Sequence, residues 1–181
     1  MTKFRLVRLI GAVALSLFVS LAARAQPYRQ LTINDFQGTP RQNSATVAYT
    51  NCSIHFSYKA RREKEYYLLD FDIELTLNSD KSWMDKRRIT SDEMLTEVLK
   101  HEQGHYIIAF MEQQELLRAV SKTVFYDDYQ YQAKAIFDRI DAKYKQLNHD
   151  YDADTNHMLN REQQESWDAY FKKRLEFMPP V

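Results

Sequence analysis

TSDEMLTEVLKHEQGHYIIAFMEQQELLRAV, residues 90–120, reads as one long amphipathic helix with a metal-binding pentapeptide at its centre. Thr90 is placed to cap the N-terminus and Glu93, at N3, to return the hydrogen bond of a capping box. Met94, Leu95, Val98 and Leu99 then open an apolar face that Ala109, Leu116 and Leu117 carry on to about Val120. Inside this element lies His101-Glu102-Gln103-Gly104-His105. Histidines at i and i+4 project from one face, so their neutral ring nitrogens can converge on a Zn ion at roughly 2.0 to 2.1 Å. Glu102, beside them, is the candidate base toward a water whose pKa zinc lowers to about 7. A glycine inside a helix costs about 1 kcal/mol relative to alanine, so Gly104 predicts that another backbone passes close by. An unligated surface pair is the alternative for the histidines; the intervening glutamate on a capped helix argues against it.

A catalytic zinc takes three protein ligands and keeps one position open, so a third ligand is required. No Gly-x-x-His follows His105, and Glu112 and Glu115, on the same helix, lack the reach of a ligand from a second element. Downstream, Asn148-His149-Asp150-Tyr151-Asp152-Ala153-Asp154-Thr155-Asn156-His157 is the most polar decapeptide of the chain and reads as a connection between two amphipathic helices. His157 is the candidate third ligand. His149 ranks second, because it falls where a helix is expected to end and a cation there is favoured by the terminal carbonyls. Asp150, Asp152, Asp154 and Asn156 alternate as in a calcium loop, but Thr155 replaces the needed glycine and Arg161 the bidentate glutamate. The acids are therefore either a solvated loop or a source of one carboxylate that orients a zinc-bound imidazole.

Around this centre the pattern predicts an α+β fold: an N-terminal antiparallel sheet followed by three helices, with the metal site on the first. Val47, Tyr49, Ile54, Phe56 and Tyr58 alternate within 45–58, as do Tyr67, Leu69, Phe71, Ile73, Leu75 and Leu77 within 65–78. Lys59 to Lys64, five charges in six residues, reads as a solvated hairpin loop, and 78–83 as a turn toward the long helix. One edge of the 65–78 strand is placed to align an extended peptide by strand addition. Tyr129, Ala133, Ile136, Phe137, Ile140, Tyr144 and Leu147 mark a second helix. A third starts at about Arg161 behind an Asn160 cap and runs toward Pro179-Pro180.

Lys3, Arg5 and Arg8 precede an apolar run from Leu9 to Leu21, and Ala23-Arg24-Ala25 ends it with small residues. That is the layout of an export signal, and the run is short of the roughly 20 residues that span a bilayer. Residues 1–25 are thus expected to be removed, leaving 26–181 as a single exported domain, periplasmic or extracellular, with no stable membrane insertion. Four of the chain's 25 basic residues lie in that leader, so 21 remain against 25 acidic ones, which is no footprint for nucleic acid. Cys52 is the only cysteine, so no internal disulfide holds the domain.

Leu31-Thr32-x-x-Asp35-Phe36-x-Gly38-x-Pro40, Lys81-Ser82-Trp83, the HEQGH core, Tyr151-Asp152-x-x-Thr155-x-His157 and Gln164-x-x-Trp167 occur in this order across nearly the whole mature chain. Together they resemble a bacterial domain family of predicted secreted zinc-dependent proteases. Two positions depart from that family's pattern: Ile33 stands where an aromatic is common, and Met158 where glycine follows the last histidine. The resemblance implies a zincin-like hydrolase. The combined expectation is a zinc metallopeptidase acting on a peptide or protein, with His101, His105 and His157 as ligands and Glu102 as general base. Tyr151, beside the third ligand, is the candidate donor to the developing oxyanion. An amidase acting on cell-wall material and a non-catalytic zinc-binding module are the alternatives. Intact mass of the exported protein should show Gln26 as the first residue in a soluble fraction; a chain retaining Met1 in the membrane fraction would reverse the export assignment.

Overall fold

The computed structural model describes residues 28–178, so the expected leader and its cleavage point lie outside the described residues. The architecture is α+β, with short antiparallel strands followed by three helices. Strands β1 (Ala48–Tyr49) and β4 (Trp83–Met84) pair with each other, and β2 (Cys52–Glu63) and β3 (Tyr66–Leu77) form a hairpin. Where one sheet was expected there are thus two small ones. The break comes at Thr50 and Asn51. Thr50 turns its hydroxyl toward the first helix, and the Asn51 amide donates to Ser82 Oγ at 2.9 Å, so neither continues a strand ladder.

Within the hairpin the register sets Ile54 opposite Leu75, Phe56 opposite Ile73 and Tyr58 opposite Phe71, which places the alternating apolar residues on one face. The charged stretch 59–64 is not a loop. Lys59, Ala60, Arg61, Arg62 and Glu63 are in β2, paired with Asp70 back to Tyr66, and only Lys64 and Glu65 form the turn, with Lys64 at φ 51. Solvated strand residues carry charge as readily as a loop does, so composition could not separate the two. The apolar run on β3 decided the pairing.

Helix α1 (Asp92–Ser121) is the centre of the molecule. Ser91, not Thr90, caps it, accepting from the Met94 amide at 3.1 Å. One side of α1 packs Val98 and Tyr106 with Leu31, Phe36, Ala48, Leu75 and Met84; the other packs Ile108, Met111 and Leu116 with Ile73, Ile140, Tyr144 and Phe171. Each such fully buried aliphatic side chain contributes about 1.5 to 3 kcal/mol, and their distribution around α1 explains why a helix this long needs no exposed apolar face. Gln113 pins it to the hairpin by donating from Nε2 to the Ile73 carbonyl at 3.0 Å.

Helix α2 (Tyr129–Thr155) is longer than expected and takes in most of the polar decapeptide. Its buried residues Ile140, Tyr144, Tyr151 and Thr155 continue a helical stripe through the acidic stretch, so the acids ride on the last two turns of a helix. Helix α3 (Arg161–Glu176) follows its expected cap, Asn160, which accepts from the Gln163 amide. Among the described residues no helix is long and apolar enough to cross a membrane.

Two glycines permit close approaches. A Cβ on Gly38 would fall 2.8 and 2.9 Å from the carbonyl oxygens of Asp80 and Ser82, which locks the N-terminal segment to the turn before β4. A Cβ on Gly104 would fall 2.4 to 2.7 Å from the phenol of Tyr151, so what passes close to α1 is a side chain of α2 and not the expected backbone. Gly104→Ala should therefore lower stability by about 1 to 3 kcal/mol through overpacking, although alanine is the better helix former; a chemical-denaturation midpoint at or above wild type would refute the packing argument.

Candidate metal centre between two helices

Each residue of the pentapeptide faces a different neighbour. His101 donates from Nδ1 to Gln164 Oε1 at 3.1 Å, and His105 from Nδ1 to Asn148 Oδ1 at 2.8 Å. The Gln164 amide is oriented because its Nε2 donates to the Asp168 carboxylate at 3.0 Å, which can only accept, leaving Oε1 for the imidazole. With both δ nitrogens used as donors, the neutral rings carry their lone pairs on the ε nitrogens, which lie 3.3 Å apart. This is the arrangement by which outer amides set the tautomer of metal-binding histidines.

Asp152 projects from α2 to the same point. Its Oδ1 lies 3.3 Å from His101 Nε2, 3.2 Å from His105 Nε2 and 3.2 Å from His157 Nδ1. His101, Asp152 and His157 offer donor atoms all within 4.8 Å of one another, and His105 joins them through His101 and Asp152. A tetrahedral cation with arms of about 2.0 Å has ligand-to-ligand edges of roughly 3.3 Å, so the spacing of His101, His105 and Asp152 matches one face of such a tetrahedron. The donor set, imidazole with one carboxylate, also suits zinc or a similar divalent metal.

Electrostatics point the same way. Burial alone would lower the pKa of His105, but the Asp152 carboxylate, with help from Glu102 and Asn148, lifts it to about 9. Asp152, despite its own burial, is held well below the usual carboxylate range by the His101 and His105 imidazoles beside it. The site favours positive charge at the point where these atoms meet.

Glu102 is buried and accepts from Thr50 Oγ1 through Oε2 at 2.6 Å. Gln103 faces away from the centre and binds the N-terminal segment, accepting from the Leu31 amide at 2.6 Å and donating to the Arg29 carbonyl at 3.2 Å. Tyr151 does not serve as an oxyanion donor. It is fully buried, its hydroxyl donates to the His101 carbonyl at 3.0 Å, and its ring stacks on the His101 imidazole with centroids 4.8 Å apart. Burial also pushes the phenol pKa upward. It is a positioning residue. His149 is no helix cap either; it is exposed in the interior of α2 and takes no part in the cluster.

His157 reaches the cluster from a strained turn. Asn156, His157 and Met158 have φ of 46, 49 and 77, three left-handed residues in succession, each costing roughly 1 to 2 kcal/mol for a side chain other than glycine. The turn is held by the Asn160 amide, which donates to the Thr155 carbonyl at 2.8 Å, and by burial of Met158. Met158, with its φ of 77, thus occupies a backbone conformation that favours glycine.

The centre opens on two sides. A pocket of about 160 Å³ is lined by His101, Glu102, His105, Asp152 and His157, and a cleft of about 350 Å³ begins at His105 and Asp152 and continues along α1. Residues 46–49 wall the pocket and residues 49–54 the cleft, so β1 and the start of β2, and not the expected 65–78 strand, border the centre. Sequence reasoning missed Asp152 as a donor, and Thr50, Asn148 and Gln164 as supports. The i and i+4 spacing of Asn148 and Asp152 was the available signal, because it sends both side chains to one face of α2.

No curated protein and no solved structure matches the chain. A family described as a bacterial protein of unknown function, DUF922, matches residues 23–158, a span that begins before β1, takes in all four donor residues and ends one residue past His157. The chain belongs to this bacterial DUF922 family.

Proposed function

We propose that the protein is an exported zinc-dependent hydrolase that cleaves amide bonds in peptides or proteins, as the resemblance carried by its sequence motifs implies. The observation that carries this reading is the pair of ε-nitrogen lone pairs, fixed by Asn148 and Gln164 and turned onto Asp152 Oδ1 beside a buried glutamate. His101, His105 and Asp152 would hold the metal, with His157 as a further donor from its turn. When bound, zinc supplies Lewis-acid polarisation of a substrate carbonyl and lowers the pKa of water to about 7.

The chain's own groups supply the proton transfers. Thr50 occupies Glu102 Oε2, which fixes the carboxylate plane and leaves the other oxygen free to accept a proton from the attacking water. The same oxygen then returns the proton to the leaving amine. Tyr151 and Gly104 keep α2 against α1, so the Asp152 and His105 donors stay in register.

One observation favours a second reading, a non-catalytic zinc-binding module. His157 lies with His101 and Asp152 in one cluster, and were His105 to join the same ion the donor count would be four, the number of a closed structural site. Glu102 separates the two, since a structural site has no use for a buried carboxylate outside its donor set.

Metal analysis should find about one zinc per chain in wild type and in Glu102→Gln, and loss of it in His101→Ala, His105→Ala and Asp152→Ala. Full zinc retention by His157→Ala would remove that residue from the donor set and leave a three-ligand site. In the same preparations, hydrolysis of an unstructured protein should fall by about 10² to 10⁴ in Glu102→Gln. Equal cleavage by Glu102→Gln, or a zinc-loaded wild type that cleaves no peptide or amide, would reject the hydrolase and leave the binding module.

A further inference from the structure

The 350 Å³ cleft does not end at the metal centre. From His105 it follows α1 past Ile108 and Ala109 to Glu112, with Ile54 and Phe137 on the facing walls. Glu112 is two helical turns beyond His105 on the same face, about 10 Å along the axis. One backbone step of about 3.5 Å and a long side chain span that distance.

Among the described residues no hydrogen bond or ion pair reaches the half-buried Glu112 carboxylate. The one cation at that end of the cleft, Lys145, is already held by Asp141 at 2.8 Å. Burial, with the nearby Asp141 charge, raises the Glu112 carboxyl to about 7, and Lys145 offsets this only in part. Cys52, on the same wall, stays a neutral thiol because burial pushes it up to about 12, so it adds no second negative charge. The cleft is thus of mixed lining, with Ile54, Ile108, Ala109 and Phe137 as its apolar part, and it ends at a carboxylate that no donor contacts directly.

We infer that Glu112 is the floor of a recognition subsite for a cationic side chain, lysine or arginine, of a peptide lying across the metal centre; the inference rests on the hydrolase reading for what the peptide is there to undergo. Ile54, Ile108, Ala109 and Phe137 suit the methylene stem of such a residue and the carboxylate its charged head. A desolvated, unpaired carboxylate gains most from a ligand that brings the missing positive charge. Acidic side chains are repelled by Glu112 and Asp141 together, and neutral ones leave the carboxylate as it was. Glu112 would therefore determine specificity without touching the reacting atoms.

The test is a binding measurement on full-length mature protein carrying Glu102→Gln, so that cleavage does not intervene. Fluorescein-labelled heptapeptides of alanine with lysine, arginine, norleucine or glutamate at the centre are titrated and followed by anisotropy. The lysine and arginine peptides should bind about tenfold more tightly than the norleucine peptide, as expected of a charge-assisted contact. Adding Glu112→Gln should bring that ratio to about one, and Glu112→Lys should make the glutamate peptide the best ligand.

Folding is checked on the same variants. The Glu112 carboxyl lies higher in the folded protein than in the unfolded chain, so its stability contribution is intact below the unfolded value near 4.5 and is lost as pH rises through about 7. Glu112→Gln has no such loss and should melt above its parent at pH 8. Absence of a basic preference in the parent, a preference that survives Glu112→Gln, or no binding of any peptide overturns the subsite. A preference abolished by Glu112→Gln in a protein whose wild type cleaves nothing upholds the subsite and rejects only the hydrolase.

Discussion

The contact between Gly104 of α1 and the Tyr151 phenol of α2 governs the rest of the structure. Because no Cβ stands in the way, the phenol reaches the His101 carbonyl and lies flat on the His101 ring. That approach sets the distance between the two helices, and the distance brings Asp152 and Asn148 to His105. Any larger residue at position 104 would push α2 outward and separate two donors on one helix from the third on the other. Interiors transmit such displacements because they are packed to nearly crystalline density. The same helix face is fixed from the opposite side by Gln103 and the N-terminal segment, so α1 is held on both flanks of the histidines.

Polar groups at this centre are balanced only by a cation. Two lone-pair nitrogens and a carboxylate oxygen meet at hydrogen-bond distance, yet the hydrogens of both imidazoles are committed to amides on the far side. A proton shared with Asp152 is one way to satisfy them, and the raised pKa of His105 expresses it. A divalent ion is another, and it satisfies all the acceptors at once. Asn148 and Gln164 thus matter as much as the residues they orient, since without them either imidazole could turn its N–H inward and remove the need for a cation.

Much of this was legible in the sequence, and what was not has identifiable causes. The long helix, its two histidines, the alternating hairpin and the Asn160 cap all follow from local pattern, and the structure contains them. The acids of 150–154 ride on helix and not in the expected loop, because polarity does not distinguish a loop from an exposed helix face, whereas Tyr144, Tyr151 and Thr155 are spaced as one buried helical stripe. Asp152 was then only one of several acids, and nothing in a linear chain tells which of three carboxylates faces an imidazole 47 residues earlier. Tyr151 was assigned to chemistry from its position beside a ligand, whereas its hydroxyl is consumed by a backbone carbonyl. Gly104 did signal a close approach, but a missing side chain does not say what fills its space.

The hairpin has a consequence of its own. Twelve residues per strand make a ribbon about 40 Å long with two edges, of which that of β3 is met at Tyr67, whose amide donates to the Phe125 carbonyl at 2.7 Å. At its outer end Tyr66 and Leu68 are 40% and 43% exposed, which is the composition from which intermolecular sheets grow. Lys59, Arg61, Arg62 and Lys64 stand on the partner strand and the turn at that end. A second ribbon docking edge to edge would bring these four cations against their own copies. Like charges at that end therefore oppose edge-to-edge docking of two hairpins, while the inner half of the same strands packs on α1.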